Sequence, residues 1–333
     1  MTDSLSAGFL AVDDLDRFPP ELSGGVVAIG NFDGVHRGHR RVLETALEAA
    51  RARGVPAFAM TFEPHPRSVF NPDKPVFRLT PPAQKARVIA ATGLDGLLSV
   101  PFTRDFAGIE AEAFVDRILQ DRLGIVHAVT GYDFHFGRAR RGTPDFLREA
   151  GEADGFGVTI VAAETDEGAE AISSSRIRAA LADGDVALAN ALLGYRWSVE
   201  AEVRHGDKRG RDLGYPTANL ALAPETDLAH GIYAVRVEVD GVWHDGVASH
   251  GRRPTFDNGA PLFEVHLFDF AGDLYGTTIR VMLAAYIRGE ARFDSAEALI
   301  AQMDRDSAEA RAALASLVPL GPVDLALNGF PAS

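Results

Sequence analysis

The hydrophobic pattern of this chain changes period near residue 185, and that change divides it into two differently built halves. Before it, the short apolar runs GVVAIG (25–30), PAFAMTF (56–62), GLLSVPF (96–102), HAVTG (127–131) and VTIVAA (158–163) read as strands. Between them, HRRVLETALEAARARG (39–54), PPAQKARVIAATG (81–93), EAEAFVDRILQDRLG (110–124) and PDFLREAGEADG (144–155) carry helical spacing, with proline at starts and glycine at stops. This cadence predicts a parallel sheet covered by helices on both faces. After DVALANALLG (185–194), the stretches beginning WSVEAEV (197), GIYAVRVEV (231), LFEVHLF (262) and TTIRVML (277) alternate apolar and polar residues. Asp240-Gly241 is a hairpin-turn pair between two such runs. The second half is therefore an antiparallel barrel or sandwich, closed by an amphipathic helix over 295–314, and the boundary falls near 184–195.

With 333 residues, two domains are expected. No apolar run is long enough to span a membrane, and the acidic N-terminus lacks the basic start of a secretory signal. The chain has no cysteine, which excludes disulfides, thiolate nucleophiles and cysteine-ligated zinc. A cytoplasmic enzyme is expected. The net charge of −14 disfavours nucleic acid as a partner. Small anionic ligands remain compatible, because local cations or backbone N–H groups can reverse the sign. GRARRG (137–142) and RHGDKRGR (204–211) are the basic patches; on charge alone they read as solvated loops.

AIGNFDGVHRGHR (28–40) joins a strand to a helix through glycines and two histidines. Gly30, Gly34 and Gly38 are expected to allow close backbone approach and unusual φ values. The helix N-terminus points unpaired N–H groups at the sheet edge, which suits a phosphate. His36 and His39 share a helical face and can donate to phosphate oxygens. No P-loop or G-x-G-x-x-G is present, and a His-x-x-His zinc site lacks an evident third ligand. In AISSSRIRAAL (171–181), serines precede a helix with Arg176 and Arg178 in its first turn. Arginine there opposes the helix dipole and calls for a compensating anion.

The strand, glycine turn and His-x-Gly-His together resemble the nucleotidyltransferase superfamily, whose motif binds ATP phosphates. The resemblance implies phosphate contacts from Gly30, Phe32, Gly34, Gly38, Ser173, Ser174 and Ser175, and catalytic roles for His36, His39 and Arg178. TFEPHPRSVFNPDKPVFRLT (61–80) and GYDFHFGRARRGT (131–143) are similar to the prokaryotic bifunctional FAD synthetases. There, Phe62, Asp133, Phe134 and Phe136 would meet the flavin. HGDKRGRDLGYPTANL (205–220) resembles the family's riboflavin kinase module. Gly206, Lys208, Gly210 and Gly214 would then line a phosphate loop. Thr217 and Asn219, two apart on an extended segment, would hold Mg²⁺, and Glu264 in LFEVHLFDF would be the catalytic base. Ser249-His250 departs from the Asn-apolar pair expected there.

The resemblance runs from about residue 25 to 315. It implies a Rossmann-like nucleotidyltransferase domain over 1–186 and a riboflavin kinase domain over 187–333, the latter a six-stranded antiparallel barrel with a C-terminal helix. The substrates implied are riboflavin, FMN and ATP, in a monomer or weak homo-oligomer. The competing readings are an adenylyltransferase for another acceptor, a chain with one active module, and a silent flavin-binding regulator.

Overall fold

A computed structural model describes residues 8–205, 215–252 and 261–330. The chain divides into two compact units between Ser174 and Ser175. In the first, β1 (Leu10–Val12), β2 (Val26–Ile29), β3 (Ala57–Glu63), β4 (Gly96–Pro101), β5 (His127–Gly131) and β6 (Gly157–Val161) form one sheet. Its order is β1-β4-β3-β2-β5-β6, and every pairing is parallel. This is the architecture the alternating pattern predicts. β1 was not anticipated, because three residues carry no readable period.

Helices α1 (Arg37–Arg53), α2 (Pro82–Ala90) and α3 (Pro144–Asp154) connect strands, and the connection after β4 runs as a helix from Ala111 that widens into a π-helix over Phe114–Arg122. α1 stops where the periodicity says it should. Gly54 takes a left-handed φ of 67° and returns its N–H to the carbonyls of Ala50 and Arg51. All four residues of β2 are buried, as a central strand covered on both faces requires. Phe58, Met60, Leu98, Phe114 and Leu119 belong to the core beneath one face. Each large apolar side chain so buried contributes about 1.5–3 kcal/mol over exposure.

The chain runs β2, β3, β4 toward one edge, then returns to lay β5 on the other side of β2. Strand order therefore reverses between β2 and β5, and their carboxyl ends flank the crevice in which such sheets bind ligands.

α4 (Ser174–Ala182) and α5 (Val186–Leu193) precede the second unit's strands: β7 (Ser198–Arg204), β8 (Ala218–Leu220), β9 (Gly231–Val239), β10 (Val242–Arg252), β11 (Pro261–Leu267) and β12 (Thr278–Arg288). They close into a barrel in the order β10-β11-β8-β7-β12-β9. Of the two architectures the alternation allowed, the barrel is the one formed. Asp240 and Gly241 both take positive φ, 49° and 79°, as a two-residue hairpin turn demands.

Helix α6 (Ala296–Ala315) covers the barrel. Arg288 Nε and Nη2 donate to both carboxylate oxygens of Asp306 on α6, at 2.8 and 2.6 Å. A final helix, Pro322–Leu327, lies beyond the pattern read from sequence. Its fully buried Asp324 pairs with Arg196, a residue itself only 6 % exposed, and accepts from the Leu320 backbone N–H.

Candidate functional site

The loop leaving β2 is held from several sides. Thr61 Oγ1 donates to the Asn31 carbonyl at 2.9 Å. Thr80 clamps the centre: its backbone N–H donates to Asp33 Oδ1, and its hydroxyl accepts from the Gly34 N–H. Ser174 Oγ donates to the Asp33 carbonyl at 2.8 Å. The expectation for the glycines needs correction. Only Gly34 among Gly30, Gly34 and Gly38 has positive φ, and the other left-handed residues are Phe32 and Val35, at 46° and 40°. Gly30 and Gly38 serve by small size instead. A Cβ on Gly30 would lie 3.0 Å from the Phe32 ring, and one on Gly38 would lie 3.2 Å from His36 Nδ1.

His36 is the N-cap of α1 rather than a residue of its first turn. Its Nδ1 accepts the His39 backbone N–H at 3.2 Å. The neutral ring therefore carries its proton on Nε2. The His36 and His39 rings stack with centroids 3.6 Å apart and planes 18° from parallel. His36 is buried, and His39 Nδ1 is a buried atom without a hydrogen-bond partner. Burial lowers the His39 pKa well below the usual histidine value, and His36 when protonated, together with the charges of Lys85 and Arg40, lowers it further.

Sequence reasoning missed the support beneath this loop. Lys85 of α2 is 3 % exposed, and its ammonium donates to Asn31 O at 2.9 Å, Thr61 Oγ1 at 3.2 Å and Glu63 Oε1 at 2.8 Å. The other oxygen of Glu63 accepts from Arg78 at 2.6 Å. The only signal available was a lysine among the core-facing positions of an amphipathic helix.

After β5, Phe134 and Phe136 stack at 5.6 Å between centroids. Phe136 is a core residue, 6 % exposed, with its ring 5.0 Å from that of Phe114, while Phe134 is half-buried and Asp133 exposed. Phe62 is likewise buried, meeting Phe102 and Phe106. Of the expected flavin aromatics, Phe134 is the one that is not fully buried. Ser173 and Ser174 are half-buried and Ser175 is exposed; Arg178 lies on α4, one turn beyond Ser174.

In the barrel, Glu264 of β11 stands directly opposite Asn219 of β8, and Ser249 of β10 stands opposite Glu264 on its other side. Directly opposed residues share a face, so Ser249, Glu264 and Asn219 form one row. Alternation puts Thr217 and His266 on that face too. The intervening rows, with Val265, Phe263 and Leu220, fill the interior. Asn219 is 8 % exposed, and its Oδ1 is buried without a hydrogen-bond partner. An orphaned amide oxygen beside a carboxylate suits a hard cation, so the residues present fit Mg²⁺. Among the described residues, no group of three or more His, Asp or Glu is arranged to hold a metal alone. Gly206, Lys208, Gly210 and Gly214 lie outside the described residues.

Two family models match the chain, FAD synthetase over residues 18–176 and riboflavin kinase over 193–314. The chain is 44 % identical over 303 residues to the bifunctional riboflavin kinase/FMN adenylyltransferase of Pseudomonas fluorescens, covering 90 % of this chain and 96 % of that one. It is 40 % identical to the Bacillus subtilis protein of the same description, over 87 % of this chain and 92 % of the other. A crystal structure from Streptococcus pneumoniae, described as a macrolide-efflux protein, superposes with a TM-score of 0.81 at 34 % identity, covering 91 % of this chain and 99 % of that one. In the present chain, no helix among the described residues is long and apolar enough to cross a membrane. With both modules matched in order along one chain, this protein belongs to the bifunctional riboflavin kinase/FMN adenylyltransferase family.

Proposed function

We propose that the chain makes FAD from riboflavin in two ATP-dependent steps, with the kinase carried by residues 187–333 and the adenylyltransferase by residues 1–186. Family membership supports both activities. The observation that carries the site assignment is the stacked His36–His39 pair beside the switch point of the parallel sheet.

In the adenylyl step, a phosphate oxygen of FMN attacks the α-phosphorus of ATP, a P–O bond forms, and pyrophosphate leaves. His36 offers its Nε2 proton to a phosphate oxygen, because Nδ1 is engaged by the His39 N–H. His39 adds charge once the phosphates arrive, and Ser173 and Ser174 join the clamp, with Ser175 and Arg178 assigned to it by motif alone. Phe134 supplies a ring face for the flavin, backed by Phe136.

In the kinase step, Glu264 accepts the proton of the riboflavin 5′-hydroxyl while that oxygen bonds to the γ-phosphorus of ATP, the bond from that phosphorus to the β,γ-bridging oxygen breaks, and ADP leaves. Thr217 and Asn219 would hold Mg²⁺, which when bound neutralises phosphate charge. Gly206, Lys208, Gly210 and Gly214 are assigned to the phosphate loop by motif alone. Two ATP-consuming reactions in a chain without cysteine fit a cytoplasmic enzyme.

A chromatographic time course with riboflavin, ATP and Mg²⁺ tests the reading. FMN should appear first and then convert to FAD. FMN that accumulates without FAD overturns the adenylyl assignment, and the appearance of neither FMN nor FAD overturns the kinase assignment.

A further inference from the structure

The segment Gly137–Gly142, which reads from sequence as a solvated basic patch, is a built loop. Its neck is an antiparallel bridge: Phe136 and Gly142 exchange both backbone hydrogen bonds, at 3.0 and 2.9 Å. Gly137 packs on Ala111 so closely that a Cβ would lie 2.8 Å from the Ala111 Cα. The Arg138 N–H donates to the Ile109 carbonyl at 2.7 Å, and its guanidinium donates to Glu110 Oε1 at 3.1 Å. Within this frame, Ala139 and Arg140 take consecutive left-handed conformations, φ 55° and 60°, which non-glycine residues rarely adopt.

The arginines are thereby sorted. Arg138 is tied down by Glu110. Arg140 and Arg141 are exposed and make no ion pair among the described residues. They are exposed in a chain of net charge −14, immediately before the N-terminus of α3 and immediately after the Phe134–Phe136 stack. The segment leaves β5, on the opposite side of the switch point from the histidine loop that leaves β2.

We infer that the Gly137–Gly142 loop is an anion site for the phosphate monoester of the flavin acceptor, with Arg140 and Arg141 as its ligands. The inference rests on the reading that the first unit adenylylates FMN. A flavin whose ring lies on Phe134 carries its phosphate on a flexible ribityl chain, and that dianion needs cations other than those gripping ATP. Arginine's planar donors fit phosphate oxygens in pairs. Holding Arg140 in a left-handed conformation fixes where its side chain leaves the loop.

The test compares FMN with riboflavin in the full-length protein. In R140A/R141A, the KM for FMN in FAD formation should rise at least tenfold, while the KM for ATP stays within twofold. The Ki of riboflavin as a competitor of FMN, measured in a Glu264→Gln background so that riboflavin is not converted to FMN during the assay, should not change, because riboflavin has no phosphate to lose. Riboflavin phosphorylation by R140A/R141A with Glu264 intact should proceed at the wild-type rate. R141A alone, which leaves the left-handed residues intact, should give part of the effect, and R140K/R141K should recover much of it. An unchanged KM for FMN overturns the inference. So does a raised KM for ATP alone, which would assign the arginines to ATP, or a riboflavin Ki that rises in step with the FMN KM. Wild-type protein that makes no FAD from FMN would overturn the adenylyl reading itself, independently of the variants.

Discussion

The imidazoles of His36 and His39 stack 3.6 Å apart, one capping the helix and the other in its first turn. Two protonated rings at that spacing repel, and His39 is also substantially desolvated, so it is neutral near pH 7. A polyphosphate placed against them favours the protonated form. ATP binding should therefore take up a proton as pH is lowered toward 6. Calorimetric titration of ATP in buffers of different ionisation enthalpy measures that uptake, and His39→Asn should remove it.

The same depressed pKa sets a stability dependence. The folded His39 binds its proton at lower pH than the unfolded residue, whose value is about 6.5. The unfolded state thus binds more protons as pH falls below about 6.5, and the fold loses stability from there downward until the folded value is passed. His39→Asn should flatten this part of the urea-midpoint profile between pH 7 and 5.

Lys85→Met breaks a buried ion pair and removes the donor under Asn31. Breaking such a pair costs about 3–5 kcal/mol, softened here because Arg78 still pairs with Glu63. FAD formation should fall at least tenfold while FMN formation from riboflavin continues. Loss of both activities together would show that Lys85 matters beyond the histidine loop.

Glu264→Gln keeps the shape of the row but removes the carboxylate proposed as base. FMN formation should fall by about 10²–10⁴, the usual size of general-base catalysis. FAD formation from added FMN should persist, measured on the same preparation.

Asn219→Ala removes an acceptor that is buried and unsatisfied. Eliminating such a group costs little and can stabilise. Thermal unfolding without Mg²⁺ should occur at the wild-type temperature or above, whereas the stabilisation given by Mg-ATP and the kinase activity should both disappear.

The sequence disclosed what depends on local pattern. Strand and helix alternation gave the sheet, Asp240-Gly241 gave the hairpin, and His-x-Gly-His marked the loop after β2. It did not disclose Lys85, Glu63 and Thr80, because a buried polar network is defined by tertiary contacts across tens of residues. It did not separate Phe134 from Phe136 either. Both alternate correctly after a strand, and only packing against Phe114 makes one of them core. Left-handed Phe32 and Val35 were invisible for a related reason: the clamp by Thr80 and Ser174 holds a conformation their own side chains disfavour.

Closure of the barrel has a consequence for synthesis. β12 bonds to β7 on one side and to β9 on the other, so no shorter chain can complete the ring. Until Arg288 has left the ribosome, β7 and β9 each present an open edge to other nascent chains. The parallel sheet, by contrast, has all its strands once Val161 has emerged, and its histidine loop is clamped as soon as Ser174 follows. Vectorial translation would thus assemble the FAD-forming half before the half that supplies its FMN, and a ribosome stalled between those points would expose an aggregation-prone partial barrel tethered to a folded first unit.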